Sequence, residues 1–193
     1  MSYAGMSYAS VDARSPLMLI DLASALTSQI ALRARAKLGE RVKIRGRIRI
    51  TGGGNVEIGD DVELDGRWAP IELHAQPGGT IVIGAGVRVE GGVSIEAKSR
   101  VEVGDRTVLR GFCKVLDNHF HPLSGNRHRG APPSNPVIIG SDCDVGWRAL
   151  ILPGGRLGPG ARALAAVVIS RKVPAGAIIG GSPPVLLKST ETA

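Results

Sequence analysis

The sequence predicts an all-β chain wound as a triangular prism, in which each six-residue unit forms one flat face and three units complete a turn. Three observations favour this fold. Aliphatic residues recur with a period of six, and small residues recur at the fifth position of each unit. Glycine is abundant, with 27 among 193 residues, whereas the aromatic residues are limited to two Trp, two Tyr and two Phe.

The composition excludes several other classes of protein. Hydrophobic residues make up 43% of the chain, and nearly all are Val, Ile, Leu or Ala, whereas disordered chains are poor in aliphatic residues. Glycine does not recur at every third position, as collagen requires. An ordinary helical domain would be destabilised by roughly 1 kcal/mol for each interior glycine. The length indicates one domain, with or without an arm.

The N-terminal segment is predicted to lie outside the repeat. Residues 1–15 are rich in Ser, Tyr, Ala and Gly and are predicted to be flexible. Residues 16–38 are predicted to form one amphipathic helix, because Pro16 is a helix-start signal and apolar residues follow at helical spacing. We interpret this helix as a cap over the end of the core. The alternative is a basic helix that lies on a membrane surface.

The period of six is clearest over residues 139–174 and extends back to Val42. Six consecutive units have aliphatic first positions and small fifth positions. The first positions are Ile139, Val145, Ile151, Leu157, Ala163 and Ile169, and the fifth positions are Cys143, Ala149, Gly155, Ala161, Val167 and Val173. Both positions are predicted to point inward, the fifth near a corner where space is short. Residues 42–174 are therefore predicted to form about seven turns around one aliphatic stack, followed by a tail over 175–193.

A segment of 20 residues, 117–136, interrupts the repeat. It has no aliphatic pattern, and it holds three of the four histidines, namely His119, His121 and His128. A loop of this length inside a regular repeat is usually functional. The segment is therefore predicted to protrude and to carry chemistry, since imidazole is the side chain best suited to act as a base near neutral pH.

Charge and cysteine content restrict the partners. The formal net charge of +7 is spread along the chain, and no aromatic residues alternate with the basic ones to stack on bases. Nucleic acid is therefore not predicted as a partner, and a phosphorylated small ligand fits better. Cys113 and Cys143 are too far apart for a CxxC motif, so they indicate neither a disulfide framework nor a zinc site. Free thiols and the lack of a signal-peptide pattern predict a cytoplasmic protein.

Several motifs resemble those of the hexapeptide-repeat acyltransferases, whose fold is the left-handed parallel β-helix. Residues 139–142, 151–155 and 157–160 (IGSD, ILPGG and LGPG) resemble the rungs of that family, and residues 181–188 resemble its C-terminal ending. Residues 117–123 (DNHFHPL) resemble a segment of its sugar O-acetyltransferases, such as the maltose and galactoside enzymes. The resemblance covers about 42–188. It implies a left-handed parallel β-helix, acetyl transfer from acetyl-CoA, and a homotrimer with active sites between subunits.

The resemblance also implies a sugar or saccharide hydroxyl as the acceptor. We predict His121 as the general base, because it carries the His-Pro pair of the matched segment. His119 is the alternative base, or a structural histidine that anchors the loop. Asp117 and Asn118 of the same segment are candidates for acceptor binding. Trp147 is a further candidate, because it is one of few aromatic residues and lies close to the loop, although the position that matches the family's acceptor-side tryptophan is Asp144.

The candidate CoA residues lie in the C-terminal rungs, along which the pantetheine arm runs in that family. Ala165 matches the alanine of a family rung, Ser170 and Arg171 match a segment that touches CoA, and Lys188 matches the basic residue of the ending. Cations at these positions suit the phosphates of CoA. The alternative is that they are solvated charges at the edge of the molecule.

Two other functions stay open at this point. The first is a non-catalytic β-helix that serves as a scaffold or binding module. The second is a metalloenzyme like the γ-class carbonic anhydrases, which requires three histidines that converge on a metal. The spacing of His74, His119 and His121 does not resemble that arrangement, so no metal is expected.

Overall fold

The computed structural model describes residue 30 and the ranges 33–119 and 134–188. Within these residues the chain is a parallel β-solenoid of about six turns, consistent with the predicted left-handed β-helix. In chain order the strands are β1 (Lys37–Leu38), β2 (Lys43–Gly52), β3 (Asn55–Ile58), β4 (Glu63–Ala75), β5 (Thr80–Ile83), β6 (Arg88–Glu90), β7 (Ser94–Ala97), β8 (Arg100–Val103), β9 (Val108–Leu109), β10 (Lys114–Leu116), β11 (Val137–Ile139), β12 (Asp144–Val145), β13 (Leu150–Ile151), β14 (Arg156–Leu157), β15 (Arg162–Ala163), β16 (Val168–Ile169), β17 (Lys172–Val173), β18 (Ile178–Gly180) and β19 (Val185–Lys188).

These strands stack into three faces. Face 1 consists of β1, β3, β5, β8, β11, β14 and β17, which pair in parallel in that order. The long strands β2 and β4 bend round a corner, so residues 43–46 pair with 63–66 while residues 48–52 pair with 71–75. Face 2 continues their first halves through β6, β9, β12, β15 and β18, and face 3 continues their second halves through β7, β10, β13 and β16. β19 pairs antiparallel with β18.

The core is a single aliphatic stack, as predicted. The predicted first positions are at most 3% exposed, and they are Ile58, Leu64, Ile83, Val89, Ile95, Val103, Leu109, Val115, Ile139, Val145, Ile151, Leu157, Ala163 and Ile169. Each side chain contacts its counterpart in the next coil, because the parallel register places equivalent positions directly above one another. The largest fully buried side chains are Leu and Ile, so the core of the described residues contains no aromatic ring.

The number of turns and the ends of the solenoid differ from the prediction. The prediction of seven turns counted the 20 residues of the segment 117–136 as part of the repeat. One turn takes about 18 residues, so leaving this segment out reduces seven turns to about six. The solenoid also extends at both ends. It begins at Lys37–Leu38, which pair with β3, and it continues into the predicted tail through β18 and β19.

The predicted helix over 16–38 lies largely outside the described residues. Within it, Ile30 and residues 33–35 are helical, but Lys37 and Leu38 form β1. The helix therefore does not reach residue 38, because the backbone there pairs with β3 instead. No helix in the described part of the chain has the length and apolar character that crossing a membrane requires.

Both cysteines occupy small fifth positions in the core, and both are free. Burial raises the pKa of the Cys113 thiol to about 12 and also raises the pKa of Cys143. The thiolate is the reactive form. We therefore expect the native protein not to react with Ellman's reagent at pH 8, whereas two thiols per chain react after unfolding. Equal rates for native and unfolded protein would contradict this burial.

The same pKa shift predicts how stability depends on alkaline pH. The thiol of Cys113 has an ordinary pKa of 9.0 and a folded pKa of about 12, so the unfolded chain releases this proton first as the pH rises. The stabilisation is complete below pH 9 and is lost as the pH rises towards 12. We expect the free energy of unfolding to fall over this window, and to fall less in Cys113→Ala.

Candidate functional site

The turns between faces bring residues that are distant in sequence to common corners. We call the corner between face 3 and face 1 the loop corner, and the corner between face 2 and face 3 the aromatic corner. The loop corner consists of residues 52–54, 76–79, 98–99, 117–119, 134–136, 152–155 and 170–171. The aromatic corner consists of residues 47, 67–70, 91–93, 111–113, 146–149 and 164–167.

Asp117 and Asn118 lie at the loop corner and are 0% and 1% exposed. The Asp117 carboxylate accepts hydrogen bonds from the backbone N–H groups of Lys98, Ser99 and Arg100, at 2.8, 2.6 and 2.7 Å. The side-chain amide of Asn118 donates to the same carboxylate at 3.0 Å. The Asp117 carboxylate is therefore engaged with the preceding coil and the Asn118 amide with that carboxylate, in an arrangement that fixes where the segment 117–136 leaves the solenoid.

The far end of that segment is fixed at the same place. The backbone N–H of Asn135 donates to the carbonyl oxygen of Asp117 at 2.8 Å, and the Asn135 carbonyl accepts from the N–H of Gly154 at 3.1 Å. The two ends of the segment are thus held together on neighbouring coils. His119 lies at this corner and is half-buried. His121 and His128 lie outside the described residues.

The candidate CoA residues lie at the two corners and on β19. Ser170 and Arg171 are exposed at the loop corner, two coils beyond Asp117, and the Arg171 guanidinium donates to the carbonyl oxygen of Pro184 at 3.0 Å. Ala165 is exposed at the aromatic corner, on the other side of face 3. Lys188 belongs to β19, where it pairs with Ile178. One chain therefore does not bring Ala165 beside Ser170 and Arg171.

Trp147 and Ala165 share a groove of about 240 Å³ at the aromatic corner. Three charged side chains line it, namely Arg110, Asp144 and Arg162. The Arg110 guanidinium donates twice to the Asp144 carboxylate, at 2.7 and 2.9 Å. This hydrogen bonding raises the pKa of Arg110 above its ordinary value. Arg162 lies 3.8 Å from the same carboxylate. The groove thus joins an aromatic ring to a network of charged donors and acceptors.

Trp68 and Phe112 also contact this site. The ring centroid of Trp68 lies 5.1 Å from that of Trp147, and the Phe112 centroid lies 6.3 Å from Trp147 and 6.4 Å from Trp68. Neither Trp68 nor Phe112 is among the site residues predicted from the sequence. The sequence does indicate that the corner at Trp68 is longer than the others. The buried residues Leu64 and Leu73 on either side of it are nine residues apart, whereas the equivalent pair Leu109 and Val115 is six apart.

His74 lies on face 3, away from both corners. Its Nδ1 atom is 2.7 Å from the hydroxyl oxygen of Thr51, and a groove of about 380 Å³ beside it is lined mainly by polar side chains. Across the described ranges, no group of three or more His, Cys, Asp or Glu side chains is arranged to hold a metal ion.

Comparison with known sequences gives a partial match. No family model matches the chain. A stretch of 57 residues is 42% identical to the 2,3,4,5-tetrahydropyridine-2,6-dicarboxylate N-acetyltransferase of Staphylococcus aureus, and it covers 30% of this chain and 24% of that enzyme. The match therefore spans about a quarter of the length of the relative.

Comparison with solved structures gives matches over most of the chain. The polysialic acid O-acetyltransferase OatWY has a TM-score of 0.66 and 24% identity, covering 78% of this chain and 72% of that one. A variant of AntD, an N-acyltransferase from Bacillus cereus in complex with dTDP and coenzyme A, has a TM-score of 0.61 and 15% identity, covering 83% and 88%. The hexapeptide-repeat acetyltransferase VCA0836 from Vibrio cholerae has a TM-score of 0.59 and 16% identity, covering 88% and 82%. The chain thus has the fold of the hexapeptide-repeat acyltransferases, as the sequence motifs predict.

Proposed function

We propose that this protein is an acetyl-CoA-dependent O-acetyltransferase that transfers an acetyl group to a hydroxyl of a sugar or saccharide. The observation that carries the proposal is the loop corner, where a regular solenoid is interrupted by a histidine-rich segment whose two ends are held together. The neighbours support it, because OatWY is a polysialic acid O-acetyltransferase and AntD is an N-acyltransferase seen with coenzyme A. The proposed compartment is the cytoplasm, in line with two free, buried thiols.

The proposed mechanism is direct transfer within a ternary complex. His121 takes the proton from the acceptor hydroxyl while the hydroxyl oxygen attacks the acetyl carbonyl of acetyl-CoA. A backbone N–H group stabilises the developing oxyanion, and the CoA thiolate then leaves and receives the proton. His119 is the alternative base. Asp117 and Asn118 act as positioning residues that anchor the histidine segment, because the Asp117 carboxylate accepts from the preceding coil and the Asn118 amide donates to that carboxylate.

The proposed assembly is a homotrimer with active sites between subunits. The loop corner carries Ser170, Arg171 and the histidine segment, whereas the aromatic corner carries Ala165 and Trp147. These halves are complementary if the loop corner of one copy faces the aromatic corner of the next, which is a head-to-tail contact that closes into a ring. Light scattering is expected to give three times the chain mass, and a monomer under assay conditions would contradict the assembly.

Acceptor-dependent release of thiol from acetyl-CoA tests the activity. We expect release with at least one member of a panel of sugars, amino sugars, nucleotide sugars and capsular oligosaccharides. The acetylated product should be an ester that mild alkali cleaves, whereas a stable amide would indicate N-acetylation. Acetyl-CoA at 100 times its Kd should also stabilise the fold by about 2.7 kcal/mol. No release and no stabilisation would favour the scaffold hypothesis.

A further inference from the structure

The three aromatic residues of the described ranges gather outside the core. We call Trp68, Phe112 and Trp147 the aromatic cluster. Trp68 is 61% exposed, Phe112 is 41% exposed, and Trp147 is half-buried. Because the core of the described residues is packed without aromatic side chains, these rings are not needed to pack it. A contiguous exposed apolar surface of this kind indicates a binding surface.

The backbone is shaped to hold these rings together. Trp68 lies on a three-residue extension of its corner, where the pairing register of β2 and β4 shifts between Gly46 and Ile48. Glycines of the neighbouring coils leave room for the rings. A Cβ atom on Gly92 would lie 2.5 Å from Cδ1 of Phe112, and a Cβ atom on Gly111 would lie 2.6 Å from Cζ3 of Trp147. The cluster therefore brings together side chains of three coils, namely those that contain β4, β9 and β12.

Polar groups surround the cluster, and two of its arginines are paired with carboxylates. Arg67, which precedes Trp68, bonds to Asp65 at 2.7 Å, and Arg110 beside Trp147 bonds to Asp144 at 2.7 Å. Aromatic faces bordered by paired donors and acceptors suit a ligand with both C–H faces and hydroxyl groups.

We propose that the aromatic cluster is a carbohydrate-binding surface, on which sugar rings of an oligosaccharide stack against Trp68 and Phe112 beside the groove that holds Trp147. That this oligosaccharide is also the acetyl acceptor rests on the proposed function, whereas its binding to the cluster does not. Three rings with centroids 5.1 to 6.4 Å apart present a wider surface than one ring. The substrate class is therefore an oligosaccharide or polysaccharide.

Calorimetric titration without acetyl-CoA tests this surface. The probes are maltohexaose and chitohexaose, and the variants are Trp68→Phe, which keeps a ring, and Trp68→Leu, which keeps apolar area without one. We expect the wild type and Trp68→Phe to bind at least one probe, and Trp68→Leu to bind it about tenfold more weakly. Val168→Ala, at a 38% exposed apolar position on face 3, is the control and should bind as the wild type does.

Four outcomes would overturn the inference. The first is that the wild type binds neither probe, and the second is that Trp68→Leu binds the probe as tightly as the wild type does. The third is that Trp68→Leu has a different oligomeric state from the wild type. The fourth is that Trp68→Leu binds CoA more weakly but binds the hexasaccharides unchanged. The third would identify a contact between subunits, and the fourth a nucleotide site. If the protein binds the probe in a ring-dependent way but transfers no acetyl group, this inference stands and the proposed function fails. If it transfers acetyl groups without ring-dependent binding, the proposed function stands and this inference fails.

Discussion

Replacing His121 by alanine is expected to lower the turnover number for acetyl transfer by about 10²–10⁴, because the acceptor hydroxyl loses its general base. A hydroxyl is a weak nucleophile until its proton is removed, and imidazole is the group with a suitable pKa near neutrality. The measurement is thiol release from acetyl-CoA at saturating acceptor. Thermal stabilisation by acetyl-CoA should be unchanged, since the donor is proposed to lie along the C-terminal coils.

Two other histidines of the same segment provide the controls. His128→Ala should retain nearly full turnover, because His128 belongs to no motif that resembles a catalytic one. His119→Ala should have a smaller effect than His121→Ala. Wild-type turnover in His121→Ala together with a large loss in His119→Ala would assign the base to His119. Wild-type turnover in both variants would exclude a histidine base.

Replacing Asp117 by alanine is expected to destabilise the fold by about 3 kcal/mol or more, because three backbone N–H groups lose a buried acceptor and each costs about 1–3 kcal/mol when left unsatisfied. These groups belong to Lys98, Ser99 and Arg100. We expect the melting temperature to fall by roughly 10 °C for a chain of this size. Turnover should fall as well, since Asp117 holds one end of the histidine segment.

Asp142→Ala is the matched control for that experiment. Asp142 is also a corner aspartate, but its exposed carboxylate bonds to the side chain of Arg106, so we expect little change in melting temperature. The melting temperature of Asp117→Asn should lie between those of Asp117→Ala and Asp142→Ala, because the asparagine keeps one acceptor oxygen. A loss of turnover in Asp117→Ala at an unchanged melting temperature would contradict the anchoring role and would favour direct contact with the acceptor.

The sequence alone determined the fold and the place where the repeat is interrupted. Residues such as Ile151 and Ala149 follow a short period, and in a solenoid that period sets directly which side chains point inward. The interruption at Asp117 is equally visible, because the aliphatic pattern stops there and resumes at Val137. The beginning of the solenoid was less visible, since the two-residue strand Lys37–Leu38 is defined by its pairing with β3.

Only the tertiary structure decided which of these residues share a site. Trp68 joins Trp147, and Ala165 lies at a different corner from Ser170, because contact across a solenoid depends on how many residues each corner contains. Three extra residues after Leu64 move Trp68 towards a ring three coils away. Asp117 likewise contacts a coil that is 17 to 19 residues earlier. The physical reason is that the period of the sequence fixes the direction of each side chain, whereas the stacking of successive coils fixes its neighbours.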